Sequence, residues 1–424
     1  MVFDSIIVTI YFNTSEPSQS FNLSVYIFLV LVFVITNYFL LRYSMQYVLS
    51  KRKSKLWIYS WAIVICQTLI CVTLFFPILQ LFLFKSYSIL SVETAAYLAH
   101  VLALISLAIL AYQFINWFRS NHKFIIFMYA CALCIFIVSV ITSITFFNFK
   151  FSSYVEEIKL RSIKSSILDS PSFGSSIKFL ILFYDYLTIA SFVCAWIPSV
   201  ILLRTYSRSG TIKFSFLIIL PLIYFLIPFI STHLGFFDNL RLEFGRQFNL
   251  VYSIIFAPYK QVGAILFGLV FLTTASKIKR KNLKLLLSIS GIGLTVFFAS
   301  TVTHGLKYIV APPFGIVTVS FMGLGSFMLL IGITTSTREL AKDFRIRSEI
   351  QKSIGEQFSF LKTLSSTERE QSLQKTVKRI VSKTAISTDS QSEEIAQEED
   401  YKTMVKEVLD ELNSRRQKIN THDK

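Results

Sequence analysis

Residues 124–147 read FIIFMYACALCIFIVSVITSITFF and contain no charged side chain. This run exceeds the roughly 20 residues that an α-helix needs to cross a hydrocarbon core about 30 Å thick. Inside a bilayer every backbone amide must be hydrogen-bonded within the protein, and a helix satisfies this requirement by itself. The stretch therefore predicts a membrane-spanning helix.

Eight further apolar segments of similar length lie on either side of this one. The chain is 53% hydrophobic and only 16% charged, whereas soluble domains carry about 25% charged residues. These features predict an all-α, polytopic integral membrane protein with about nine transmembrane helices and a short helical cytoplasmic tail. The predicted spans are 21–42, 57–84, 94–118, 123–148, 178–203, 213–235, 250–276, 283–303 and 313–336.

Basic residues between the spans are concentrated in alternate loops. The loops after spans one, three, five and seven hold 15 Lys and Arg and no Asp or Glu, whereas the opposite side holds nine Lys and Arg with eight acidic residues. Short basic loops stay in the cytoplasm. The asymmetry predicts a multi-pass membrane location with the N-terminus outside and the C-terminus in the cytoplasm, which requires an odd number of spans.

The spans define three predicted parts of the chain. An extracytoplasmic N-terminal segment, 1–20, precedes the transmembrane domain, 21–336, and a cytoplasmic tail, 337–424, follows it. The tail holds 17 basic and 16 acidic residues, so the net charge of +17 belongs almost entirely to the membrane domain. Such a charge reports topology and attraction to anionic headgroups. The lipid bilayer is therefore the predicted partner, and no nucleic-acid partner is predicted.

The tail is predicted to form short amphipathic helices with a flexible Ser- and acid-rich linker at 386–400. A second tail helix is expected to begin near Ser366 and Thr367, which can cap its N-terminus. One apolar face continues from the last span and comprises Leu340, Phe344, Ile350, Ile354, Phe358 and Leu361. Short helices cannot bury a core alone, so this face packs on the chain's own loops, on the membrane surface, on another copy or on a protein partner.

Two charged residues stand out because they lie well inside the predicted spans and away from their ends, where burial is costly and a functional role is the default expectation. Asp185 lies in the fifth span, and Lys260 lies in the seventh, just after Pro258, which can kink a helix. Together with His100 in span three, they predict an outward-facing polar pocket in which Asp185 and Lys260 form an ion pair. Pairing would offset the cost of burying either charge. Alternatively, Lys260 lies near enough to the interface for its ammonium to reach water.

His233 and His304, at the outer ends of spans six and eight, are weaker candidates for the same pocket. An ordinary interfacial position is the simpler interpretation of both, and no metal site is predicted. Cys131 and Cys134 have the spacing of a redox motif, but an apolar setting makes a thiol inert, so packing is predicted. No catalytic residue and no cofactor is predicted.

Small residues predict close packing between particular helices. Ala95, Ala99 and Ala103 form a ridge on span three beside His100. The last three spans contain seven glycines, namely Gly263, Gly268, Gly291, Gly293, Gly323, Gly325 and Gly332.

Two functions fit these features best. A receptor-like signalling protein or scaffold would bind a ligand in the outer pocket and pass the change to the tail helices. A permease would instead use Asp185 and Lys260 beside a substrate path. A membrane enzyme ranks last, because no acid–base pair or metal set is evident, and the chain is not expected to be an enzyme.

Overall fold

The computed structural model describes residues 19–49, 55–84, 88–120, 122–161, 173–206, 211–235, 237–256, 258–278, 280–301 and 315–342, with 364, 367–369 and 372 of the tail. Within these ranges the chain forms ten helices and no strand, so the protein is all-α. The helices are α1 Gln19–Leu49, α2 Lys55–Phe84, α3 Ile89–Ser120, α4 Phe124–Arg161, α5 Phe173–Tyr206, α6 Thr211–Leu234, α7 Asp238–Phe256, α8 Tyr259–Lys277, α9 Lys281–Ser300 and α10 Ile316–Lys342.

The described helices confirm a polytopic membrane protein, although the number nine is approximate. Eight stretches of the described chain are long and apolar enough to cross a bilayer. Seven of them each lie within one helix, and the eighth runs from the end of α7 through α8, whereas the apolar stretch of α6, Ile218–Ser231, is shorter. The eight stretches are Leu23–Met45, Trp57–Phe84, Leu90–Ser120, Phe124–Asn148, Leu182–Arg204, Ile254–Lys277, Lys281–Ser300 and Ile316–Ala341. Exposed apolar side chains such as Phe28 and Ile58 face outward on α1 and α2, as expected for contact with lipid. The orientation of the termini stays a prediction.

The seventh predicted span, 250–276, falls on two helices, because a break separates the end of α7 from α8, although the apolar stretch Ile254–Lys277 is long enough to cross a bilayer. The break falls at Pro258, which precedes the first residue of α8. Proline has no amide hydrogen, and its ring clashes with the carbonyl four residues earlier. The residue therefore starts a new helix here instead of kinking a continuous one, and its carbonyl accepts the amide of Val262 at 3.0 Å.

Six helices pack side by side as a closed ring in the order α3, α4, α5, α8, α9 and α10. The ring has a filled centre, because the Phe136 ring of α4 packs edge-on against Phe297 of α9 at 5.2 Å between centroids. The helices α1 and α2 cover α10 from outside, and α6 covers α5 and α8. As a result α10 is buried continuously from residue 316 to residue 334, so the last span is the most buried of the eight candidate spans.

Glycines bring the backbones of α8, α9 and α10 into direct contact. A Cβ added to Gly293 of α9 would lie 2.6 Å from the amide nitrogen of Leu329 in α10. On the other side of α9, a Cβ added to Gly291 would lie 2.8 Å from the carbonyl oxygen of Gly268 in α8. Both distances are far shorter than a carbon atom permits, so α9 is held between its neighbours only because these positions lack a side chain. The structure confirms the close packing predicted from the glycines.

The substitution Gly293→Ala is expected to lower the free energy of unfolding by about 1–3 kcal/mol, the usual cost of overpacking a core. The added methyl group meets backbone atoms of α10, which cannot move aside as a side chain can. Thermal unfolding in detergent, with Ile265→Ala on the exposed side of α8 as the control, measures this. An unchanged Tm for Gly293→Ala would contradict the packing described.

Candidate functional site

Lys260 is the second residue of α8, directly after the Pro258 break, and its side chain is completely buried. Its Nζ donates a hydrogen bond to the backbone carbonyl of Thr301, 3.3 Å away. Thr301 is the residue that ends α9. Because the last carbonyls of a helix lack intrahelical partners and carry the negative end of the helix dipole, an ammonium group is well placed there.

Two tyrosine rings complete the surroundings of the ammonium. Nζ lies 4.9 Å from the ring centroid of Tyr184 and 5.8 Å from that of Tyr259, within the range of cation–π attraction. The hydroxyl of Tyr184 donates to the same Thr301 carbonyl at 2.5 Å. One carbonyl at the end of α9 therefore accepts hydrogen bonds from both α5 and α8. We call Lys260, Tyr184 and Thr301 the Lys260 node.

Asp185 follows Tyr184 on α5 and is half-buried. Its carboxylate interacts electrostatically with Lys260 and with Tyr259. The structure thus brings Asp185 and Lys260 into one electrostatic cluster, on helices α5 and α8 that pack together. The role of the pair as a ligand site stays a prediction.

Aromatic packing holds the start of α8 in place. The Phe192 ring of α5 stacks on Phe225 of α6 with 3.8 Å between centroids, and Phe225 contacts Tyr259 at 5.6 Å. Gly263, one turn after Tyr259, lies against the Phe192 ring, with no room for a Cβ. The node therefore lies against closely packed aromatic side chains of α5, α6 and α8.

His100 lies elsewhere, between α3 and α4. Its Nδ1 is 2.7 Å from the carbonyl of Ala96, and its Nε2 is 2.9 Å from the hydroxyl of Ser143. Because a carbonyl only accepts, Nδ1 carries the proton, which leaves Nε2 of the neutral ring to accept from Ser143. The ring also packs edge-on against Phe147 at 5.2 Å. These bonds connect α3 to α4 and do not join His100 to the Lys260 node.

The two weaker candidates cannot be placed in the same way. His233 is part of α6, but its side chain is not among those described, and His304 lies outside the described residues. In the described ranges no group of three His, Cys, Asp or Glu side chains is arranged to hold a metal ion.

A second polar contact occupies the opposite end of the bundle. Glu368 of the tail accepts a hydrogen bond from Trp117 Nε1 of α3 at 3.1 Å, and its other oxygen lies 3.5 Å from Nε of Arg338 at the end of α10. Leu364 and Thr367 of the same segment are buried. This part of the tail packs on the membrane domain, and we call the contact the Glu368 dock. Of the predicted tail face, Leu340 is buried and the other members lie outside the described residues, as does the linker 386–400.

Sequence reasoning missed the neutral groups around the ammonium of Lys260. Tyr184 and Tyr259 directly precede Asp185 and Lys260, so a search for aromatic residues beside intramembrane charges would have found them. Thr301 contributes only its backbone carbonyl, which leaves no signal in the sequence.

Comparisons with protein-family models, with curated proteins and with solved structures found no match to this chain.

The substitutions Asp185→Asn and Lys260→Gln are each expected to lower stability, while the double variant loses less than the sum of the two. Each single change leaves one charge without its counter-charge, and contacting residues show coupling energies of about 0.5–3 kcal/mol. A double-mutant cycle on Tm and unfolding free energy measures the coupling, with Glu243→Gln on the exposed surface of α7 as the control. Strict additivity would mean that the two charges do not interact.

Proposed function

We propose that this chain is a receptor-like signalling protein or scaffold, and not an enzyme, in which the Lys260 node on the outer side controls the Glu368 dock on the cytoplasmic side. The observation that carries the proposal is the arrangement of α9 and α10. One end of α9 is held by the Lys260 node, and the far end of α10 is held by Glu368. Between these ends the two helices touch backbone to backbone.

The backbone contact between α9 and α10 supports transmission of a conformational change across the membrane. Close-packed interfaces move between discrete arrangements and do not deform continuously. A change that frees the end of α9 would therefore shift α10 as a body. The cytoplasmic end of α10 carries Arg338, so such a shift would alter its distance from the Glu368 carboxylate.

The polar groups of the node favour an anionic ligand. A carboxylate or phosphate arriving beside α5 and α8 would compete with the Thr301 carbonyl for the ammonium of Lys260, since ionised acceptors bind an ammonium more strongly than a carbonyl does. The ionised carboxylate of Asp185 would repel such a ligand. This repulsion would weaken ligand binding and favour the return of Lys260 to the Thr301 carbonyl. The two states are the one in which Lys260 bonds to Thr301 and the one in which Lys260 is released. A ligand shifts the equilibrium between them only by the difference in its affinity for the two states.

The coupling is tested with a cysteine introduced at Leu364 in a cysteine-free background, labelled by a maleimide from the cytoplasmic side. Because Leu364 is buried in the dock, labelling should be slow, and Lys260→Gln should accelerate it several-fold. The outer-side control Glu243→Gln should leave the rate unchanged. Equal labelling rates in the protein with Lys260 and in the Lys260→Gln variant would contradict the proposed coupling.

Transport is the second candidate, and the helix break at Pro258 favours it. Transporters bind substrates at discontinuous helices, whose free termini meet the ligand near the bilayer midplane. Lys260 follows such a break, but at about 1.5 Å per residue it lies some 25 Å from Lys277 and thus close to the outer edge of the core. A permease would allow a cysteine at position 185 to react from both faces of the membrane, whereas a receptor would allow reaction from the outer face alone.

A further inference from the structure

A second polar cluster lies between α1 and α2. Asn37 of α1 and Gln67 of α2 are buried, with 2% and 0% of their surface exposed. Neither carries a charge, so a search for ionisable groups within the spans does not find them. Neutral amides in a membrane core nevertheless need hydrogen-bond partners, because burying a polar group without one costs free energy.

Cys71 positions the two amides. Asn37 Nδ2 donates to Cys71 Sγ at 3.2 Å, which turns Asn37 Oδ1 away from that contact. Gln67 precedes Cys71 by one helical turn, and residues four apart lie on the same face of a helix about 5–6 Å from each other. The free ends of Asn37 and Gln67 therefore lie in the same part of the interface between α1 and α2.

Three atoms of the two amides have no hydrogen-bond partner among the residues that the structure describes. They are Asn37 Oδ1, Gln67 Oε1 and Gln67 Nε2. Buried polar side-chain atoms are in large majority paired, with protein or with an ordered water. At about 1.5 Å per residue, Asn37 lies about 12 Å along α1 from Met45, and Gln67 about 15 Å along α2 from Trp57. Bulk water therefore cannot supply the missing bonds.

The three atoms define the chemistry of the missing partner. Two of them accept hydrogen bonds and one donates. A metal cation would bind the two carbonyl oxygens but would be repelled by the N–H donor of Gln67. A carboxylate would accept from that donor but would be repelled by both oxygens. A water molecule has two O–H donors and two acceptor lone pairs and can bond all three atoms, whereas a hydroxyl group has one O–H and can bond one of the oxygens together with the Gln67 N–H.

We propose that Asn37 and Gln67 form an intramembrane binding site for a neutral O–H group, supplied either by an ordered water or by a hydroxyl-bearing lipid. An apolar groove of about 400 Å³ adjoins the site between the N-terminal half of α1 and the C-terminal half of α2. Val72 lines this groove and directly follows Cys71, so a lipid whose hydroxyl group enters the deep end of the groove would bring that group beside the amides. The site is independent of the function proposed for Lys260.

The first test is the sign of a stability change in Gln67→Met, which keeps the length of the side chain and removes its hydrogen bonds. If an O–H group occupies the site, the substitution removes satisfied bonds, and Tm should fall by at least about 2–4 °C. If the amide is unpaired, the substitution relieves a buried polar group, and Tm should rise. Ile70→Met, at a buried position on the same helix, controls for tolerance of methionine. A rise for Gln67→Met overturns the proposal.

The second test identifies the source of the hydroxyl. Solid-state NMR of the protein reconstituted in phosphatidylcholine, which lacks a hydroxyl headgroup, detects protons near the side-chain amide of Gln67. Magnetisation transfer from water to this amide identifies water. A transfer seen only after native lipid is returned, together with a co-purified hydroxylated lipid in native mass spectra, identifies the lipid. Absence of both transfers overturns the site even if Gln67→Met unfolds the protein.

Discussion

Helices inside a bilayer gain little by burying apolar surface against each other, because lipid tails are as apolar as leucine side chains. Their association depends instead on close contact, and in this protein that contact is concentrated on α9. Gly291 lets the backbone of α8 approach one side of the helix, and Gly293 lets that of α10 approach the other. The ring of six helices, the burial of α10 and the position of Thr301 all depend on this arrangement.

Much of the fold could be predicted from the sequence, because length and apolarity within a bilayer leave few alternatives to a helix. The close packing of the last three spans could also be predicted, since glycine inside a helix has little other use there. The complete break at Pro258 could not, because proline both kinks continuous helices and starts new ones. Which span is buried most deeply depends on how the helices assemble, and hydropathy along the chain carries no information about that.

The charged residues of the candidate site could be predicted from the sequence, and its neutral residues could not. Asp185 and Lys260 stand out in apolar sequence, and the structure places them in one electrostatic cluster. His100 stands out equally, yet it bonds to Ser143 on α4 instead. An ionisable residue in an apolar segment indicates that a polar partner is needed. The identity of that partner depends on tertiary contacts, which the sequence does not show. Thr301, Asn37 and Gln67 are backbone or neutral groups, so neither charge nor hydropathy reveals them.

The proposed function joins two polar contacts at opposite ends of an apolar bundle. At one end, an ammonium and a phenol share the last carbonyl of α9. At the other, one carboxylate of the tail bonds to α3 and contacts α10. The helices between them are held by backbone contact, which is the kind of connection that can move as a unit.

A double-mutant cycle between Lys260→Gln and Glu368→Gln tests the proposed coupling most directly. Sites farther apart than about 7–10 Å normally contribute additively to stability, within about 0.3–0.5 kcal/mol. Coupling through α9 and α10 predicts an interaction energy clearly above that limit in the unfolding free energy of the full-length protein in lipid. Additivity within the limit would contradict the account and would make the Lys260 node and the Glu368 dock two independent structural contacts.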